Sequence, residues 1–309
     1  MATWSNTLTR AGITDPLLRH DYTEQRRLTA RFNRGAYTAV RLLLPAPLIP
    51  DVIAATAFMH HSDNLIDQGP LNERLASLMH WDKQVREALG TGLAGHPVLR
   101  PLLDAVARHP QLREQITRYL AGAPEEVRWE SFATESDFQR YIDAYSLPAF
   151  MLIACLLAPP SSAQKFQEGC RTFIEASQRL DFLEDITEDL SNGRIGIPED
   201  VLEEHGVALR DFQEAPSDGV RQLIRSQIAR IQPSLEASYC LVDLVDPPNQ
   251  PFVRALITLH ELRVRAVARK GPGILRGSVR PSFASLLLLL AREYRTARRH
   301  RGLGVGTAP

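Results

Sequence analysis

Cysteine is scarce in this chain. Only Cys155, Cys170 and Cys240 occur in 309 residues, far apart and without a CxxC pair. That excludes a disulfide framework and a thiolate zinc site, and leaves the three thiols as small buried hydrophobes. Long apolar runs are also missing. The longest, 149 to 158 and 286 to 291, fall well short of the roughly 18 residues a membrane span needs, so no span is expected. The 36 basic and 36 acidic residues cancel, which argues against a nucleic-acid partner, and the locally basic Arg292 to Arg301 reads as a solvated helix end. The N-terminus has no basic region followed by an apolar run and a cleavage site, so a cytoplasmic protein is expected. No glycine-rich dinucleotide fingerprint follows a strand pattern.

Alternating β-branched runs are absent too, while leucine, alanine, arginine and glutamate dominate and proline or glycine mark the breaks. This predicts an all-α chain with helices near 14 to 31, 34 to 43, 49 to 68, 71 to 90, 97 to 108, 111 to 121, 135 to 158, 163 to 190, 198 to 206, 217 to 245, 250 to 269 and 281 to 298. No repeat, linker or change of composition divides it, so 1 to 309 reads as one domain with irregular ends near 1–13 and 300–309.

The stretch Gln178 to Pro198, QRLDFLEDITEDLSNGRIGIP, packs five acids into nine positions: Asp181, Glu184, Asp185, Glu188 and Asp189. On one helix Asp181, Asp185 and Asp189 share a face with Gln178, Ser177, Ile174 and Cys170, whereas Leu180, Leu183, Ile186 and Leu190 point away. A polar face that grades into an apolar one suits a cavity wall better than a solvated surface. Carboxylates crowded there call for cations, and oxygen-only ligands suit Mg2+ together with phosphate oxygens. A second acidic helix, FMHHSDNLID, places Asp63 and Asp67 on one face with His60. Chance alone gives roughly four such pairs in a chain this acidic, so the two helices count only together. Asn192-Gly193 closes the helix that carries Asp181 to Asp189 and Pro198 opens the next, leaving Arg194 on the loop between.

HHSDNLID resembles the first aspartate-rich motif, and QRLDFLEDITEDLSNGRIGIP the second, of the squalene/phytoene synthase family; the resemblance runs from about Phe32 to Leu290. It implies an isoprenoid-synthase helical bundle around a central cavity. It further implies two or three Mg2+ ions held by Asp63, Asp67, Asp181, Asp185 and Asp189, with Glu188, and an allylic diphosphate donor. Gln178 would touch the diphosphate or orient a ligand, and Arg194 would cap carbonyls or act as a flap over the diphosphate.

Several positions depart from the family pattern. Arginines expected three residues before the first aspartate, and just before the second motif's central one, are His60 and Glu184; the serine pair is replaced by Arg34-Gly35-Ala36-Tyr37. Lost cationic charge disfavours a second anionic substrate. In YIDAYSLPAF, Tyr145, Leu147 and Phe150 would narrow the tunnel and Pro148 would kink its helix, favouring a short donor such as dimethylallyl diphosphate. These departures resemble the squalene-synthase-like branch that prenylates aromatic acceptors such as carbazoles, which implies ionisation of the donor and electrophilic aromatic substitution. Asp143, Glu184 and His60 are then candidates for the base or for orienting the acceptor. Head-to-head condensation of two prenyl diphosphates, using Arg276 and Arg280, is the alternative. A non-catalytic helical scaffold is the other.

Overall fold

The computed structural model describes residues 3–67 and 69–303, and among them every regular element is helical. The helices are α1 (Trp4–Arg10), α2 (Pro16–Phe32), α3 (Arg34–Leu43), α4 (Ile49–Asp67), α5 (Leu71–Thr91), α6 (Leu99–Arg108), α7 (Gln111–Arg128), α8 (Glu135–Tyr141), α9 (Leu147–Ala154), α10 (Ala163–Glu184), α11 (Ile186–Ser191), α12 (Glu199–Glu204), α13 (Asp218–Ala237), α14 (Cys240–Asp243), α15 (Gln250–Lys270) and α16 (Phe283–Leu303). One buried apolar cluster runs from Leu8 to Leu275. The N-terminal end is not irregular as expected: α1 is capped by the Thr3 hydroxyl, which accepts from the Asn6 N–H. At the other end α16 continues to Leu303, and 304–309 lie outside the described residues. Cys155 and Cys170 are buried, but Cys240 is exposed.

Helix α4 crosses the core and brings the first motif to its C-terminal end. Its other end is fixed by Asp51, 1% exposed, whose carboxylate accepts from Arg108 at 2.5 Å and meets His109 at 3.0 Å. An ion pair this buried is costly to break, because removing either partner strands the other. Helix α10 lies against α13 and α15, α9 packs between the two acidic helices, and α7 lies against α4 and α9.

Two expected boundaries fail for physical reasons. Pro124 does not end its helix: α7 runs through it to Arg128, because the added turn buries Val127. The expected helix over 135 to 158 is interrupted by a π turn, Ile142–Ser146, in which the Leu147 N–H donates to the Ile142 carbonyl. Pro148 explains it. Having no N–H, it leaves the Ala144 carbonyl without its helical donor, and the turn widens there. That carbonyl projects onto α7 at Gly122, where an added Cβ would lie 1.7 Å from the Ala144 oxygen.

Gly122→Ala must therefore displace the π turn, and urea unfolding is expected to show a loss of about 2 kcal/mol or more. Gly90→Ala, in α5 with nothing within 4 Å of the added carbon, serves as the control and should be neutral or slightly stabilising.

Candidate active site

The acidic stretch does not form one straight helix. Asp185 departs from helical backbone (φ −102°, ψ 8°) and separates α10 from α11. The i, i+4 relation survives, since the Asp185 N–H donates to the Asp181 carbonyl at 2.9 Å and the Asp189 N–H to the Asp185 carbonyl at 2.8 Å. Gly193, at φ +73°, closes α11 as expected, and the Arg194 N–H caps the Asp189 carbonyl at 2.9 Å. The following loop is pinned by the Ile195 N–H to the Glu130 carbonyl at 2.8 Å. It also presses Gly196 on the Phe182 ring, where a Cβ would lie 2.1 Å away. Only glycine permits that approach.

Asp63 is largely buried and accepts from the hydroxyls of Tyr119 at 2.9 Å and Tyr145 at 3.4 Å. Burial raises its pKa to about 6 against those hydrogen bonds, and Asp67 adds repulsion. Burial also raises both tyrosines, so they stay neutral donors. Asp67 is exposed at the end of α4. Asp185 and Asp189 are each raised to about 6, first by desolvation and then by neighbouring carboxylates. Gln178 is held back from α4, its Oε1 accepting from the Ser146 hydroxyl at 3.1 Å.

Arg263 of α15 was missed in the sequence. It reaches Asp181 at 2.6 Å and Glu184 at 2.5 Å. Its signal was a polar interruption of an apolar face: His260 and Arg263 break the row Ile257, Val264, Val267, and His260 meets the Ser177 hydroxyl at 3.0 Å. The charge reversal read at Glu184 is thus offset from another helix. Glu184 keeps a raised pKa, mainly through burial. Glu126 of α7 was also missed, because the helix was expected to stop at 121. Buried and with a raised pKa, it accepts from the Tyr141 hydroxyl and lies 3.7 Å from Arg194. Arg194 also stacks on Trp129, 5.1 Å from the ring centroid.

Two clefts meet at Asp67. One, about 180 Å³, is lined by Phe32, His60, Asp63, Asp67, Glu126 and Tyr145 among others, and the His60 and Phe32 rings lie 3.9 Å apart. The other, about 1040 Å³, brings Asp67 and Glu188 together with Arg74, Arg128 and Arg194. Asp143 belongs to neither. It pairs with Arg171 at 2.9 Å and lines a separate cleft with Gln115 and Arg118, because two residues along the turn from Tyr145 point the opposite way. Arg34 is exposed in the first turn of α3 and lines neither cleft, and exposed Arg276 and Arg280 line neither.

The donor set fits a hard cation. Asp189 Oδ2 and Glu184 Oε1 are buried without a hydrogen-bond partner. Among the described residues no three acidic, imidazole or thiol groups converge as a complete ligand set, so an ion there would draw further oxygens from substrate and water, as Mg2+ commonly does.

A carboxylate whose folded pKa lies above its unfolded value destabilises the fold at neutral pH, and the loss fades as pH falls from about 6 towards the ordinary range. In metal-free buffer at pH 7.5, Asp189→Asn should therefore melt higher than the parent protein, and the gap should close by about pH 4. Equal melting temperatures at pH 7.5 would contradict the desolvation of Asp189.

Comparison with known proteins places this arrangement. Residues 32–285 match the Squalene/phytoene synthase family model. The bifunctional protein CrtB/UppS of Streptomyces coelicolor is 26% identical over 299 residues, covering 87% of this chain; the chain spans about half, 52%, of that curated relative's length. Squalene synthase HpnC of Alicyclobacillus acidocaldarius is 26% identical, with a TM-score of 0.75 over 84% of this chain and 98% of that one. A dehydrosqualene synthase solved with a ligand superposes with a TM-score of 0.79 at 18% identity, over 91% of this chain and 98% of its own, a likeness of fold. With both acidic stretches inside the matched region, the chain belongs to the squalene/phytoene synthase family.

Proposed function

We propose that the protein is a Mg2+-dependent prenyltransferase that joins two prenyl diphosphates head to head. The observation that carries this reading is the larger cleft, where Asp67 and Glu188, one from each motif, face Arg74, Arg128 and Arg194. Three guanidiniums there replace the cationic charge missing at His60 and Glu184, and planar guanidinium forks suit phosphate oxygens. Arg74 Nε is buried without a partner, a donor left for a ligand. The likeness to a squalene synthase over 98% of that protein supports the same reading.

Asp63, Asp67, Asp181, Asp185, Asp189 and Glu188 would hold the metal ions, which when bound would stabilise the departing diphosphate. Tyr119 and Tyr145 orient Asp63 by donating to it. Arg263 turns Asp181 towards α15 through their ion pair. Arg194, fixed over Trp129, would cover the diphosphate and exclude water from the allylic cation.

A second reading, prenylation of an aromatic acceptor such as a carbazole from dimethylallyl diphosphate, draws on the smaller cleft. Its modest volume and the paired rings of Phe32 and His60 suit a flat acceptor, with His60 as base.

Incubation with Mg2+ and dimethylallyl, geranyl or farnesyl diphosphate, with and without a hydroxylated carbazole, followed by mass spectrometry, separates the two. Head-to-head chemistry yields a coupled hydrocarbon, alcohol or cyclopropyl diphosphate from one donor alone, and Arg128→Gln should raise KM for the diphosphate at least tenfold, ~1.4 kcal/mol. Product formed only with the aromatic would overturn it. A melting temperature unmoved by Mg2+ with inorganic diphosphate, alongside no turnover, would instead indicate a scaffold.

A further inference from the structure

The outward face of α16 is unlike the rest of the surface. In its first two turns Phe283, Leu287 and Leu288 are 74%, 50% and 72% exposed. At 100° per residue the same sector continues through Ala291 into Arg295, Arg298 and Arg299, all exposed, with exposed Arg292 at its edge. The helix has one carboxylate, Glu293. It points inward, 1% exposed, and is held by Arg254 at 3.3 Å and Arg292 at 2.8 Å. The face is therefore apolar, then wholly cationic.

Just before the helix, Arg276 and Arg280 are also exposed. The turn Gly271–Arg276 packs against α11, the element that carries Glu188 and Asp189, and residues 277–282 join that turn to the apolar end of α16. No described helix is long and apolar enough to cross a membrane. A helix with leucine and phenylalanine on one stretch and arginines beside them has the composition of one lying flat on an anionic bilayer.

We propose that this face of α16, with Arg276 and Arg280, docks the protein on the surface of an anionic lipid bilayer. Charge complementarity selects the lipid over a second copy of the chain. Parallel pairing of two such faces would oppose arginine with arginine, and antiparallel pairing would bury arginines on leucines without a counter-charge. Phe283, Leu287 and Leu288 enter the headgroup region, and the arginines meet lipid phosphates. Six residues along the chain from the turn on α11, the docked face would shorten the path of an apolar chain between bilayer and site. That advantage rests on the proposed function, whereas the docking does not.

Cosedimentation of the full chain with vesicles tests it, using phosphatidylcholine alone or mixed with phosphatidylglycerol, at low and high salt. Binding is expected to the mixed vesicles, and at least tenfold weaker on phosphatidylcholine or at high salt. The double variants Phe283→Ser/Leu288→Ser and Arg295→Gln/Arg299→Gln should each lose about tenfold, with melting temperature and turnover of detergent-dispersed substrate unchanged. Absence of binding, equal binding to both vesicle types, or parental binding by the arginine variant would overturn the proposal. So would a dimer in size-exclusion chromatography that Phe283→Ser/Leu288→Ser converts to monomer. Turnover is read separately, so loss of docking and failure of the proposed chemistry remain distinguishable.

Discussion

Forced proximity of carboxylates is the constraint on which this structure depends. Asp185 and Asp189 stand one turn apart with Glu184 and Glu188 beside them, and Asp63 is desolvated on the facing helix, so three of the acids are held near pKa 6. Left to itself such a cluster would splay into water. The surrounding residues prevent that. Tyrosine hydroxyls hold Asp63, one guanidinium bridges Asp181 and Glu184, and the loop after α11 is clamped by backbone bonds and by the contact of Gly196 with Phe182. The fold stores repulsion that a cation would relieve.

Positioning of the tyrosines depends on a local irregularity. Had the segment from Glu135 to Ala154 remained α-helical, Tyr145 would sit elsewhere on the helix face, because each residue turns the side chain by about 100°. Pro148 removes a donor, the turn widens by one residue, and Gly122 leaves room for the displaced carbonyl. Two residues on two helices thus set where one phenol points. That phenol reaches Asp63, on a third.

Helix content and the two acidic motifs were legible because periodicity and charge spacing are local. The break at Asp185 was not, since i, i+4 backbone bonds persist across it. Asp143 and Tyr145 line different clefts, because two residues apart along a helix is nearly opposite. The helix from Gln111 was expected to end at 121, which hid Glu126. Arg263, Arg74 and Arg128 stand in ordinary helical contexts, and only tertiary packing brings them to the acids. A count of arginines near the motifs alone therefore leaves out Arg74 on α5, Arg128 on α7 and Arg263 on α15.

The bridge from Arg263 to Asp181 and Glu184 also fixes an order of assembly. Both motifs leave the ribosome well before α15 does. Until that helix arrives Asp181 and Glu184 lack the Arg263 guanidinium and stay hydrated, so the pocket cannot dry out from the N-terminal side alone. Closure of the site is a late event, set by the last third of the chain. The dry form of the pocket therefore waits on α15, however early its acids are made.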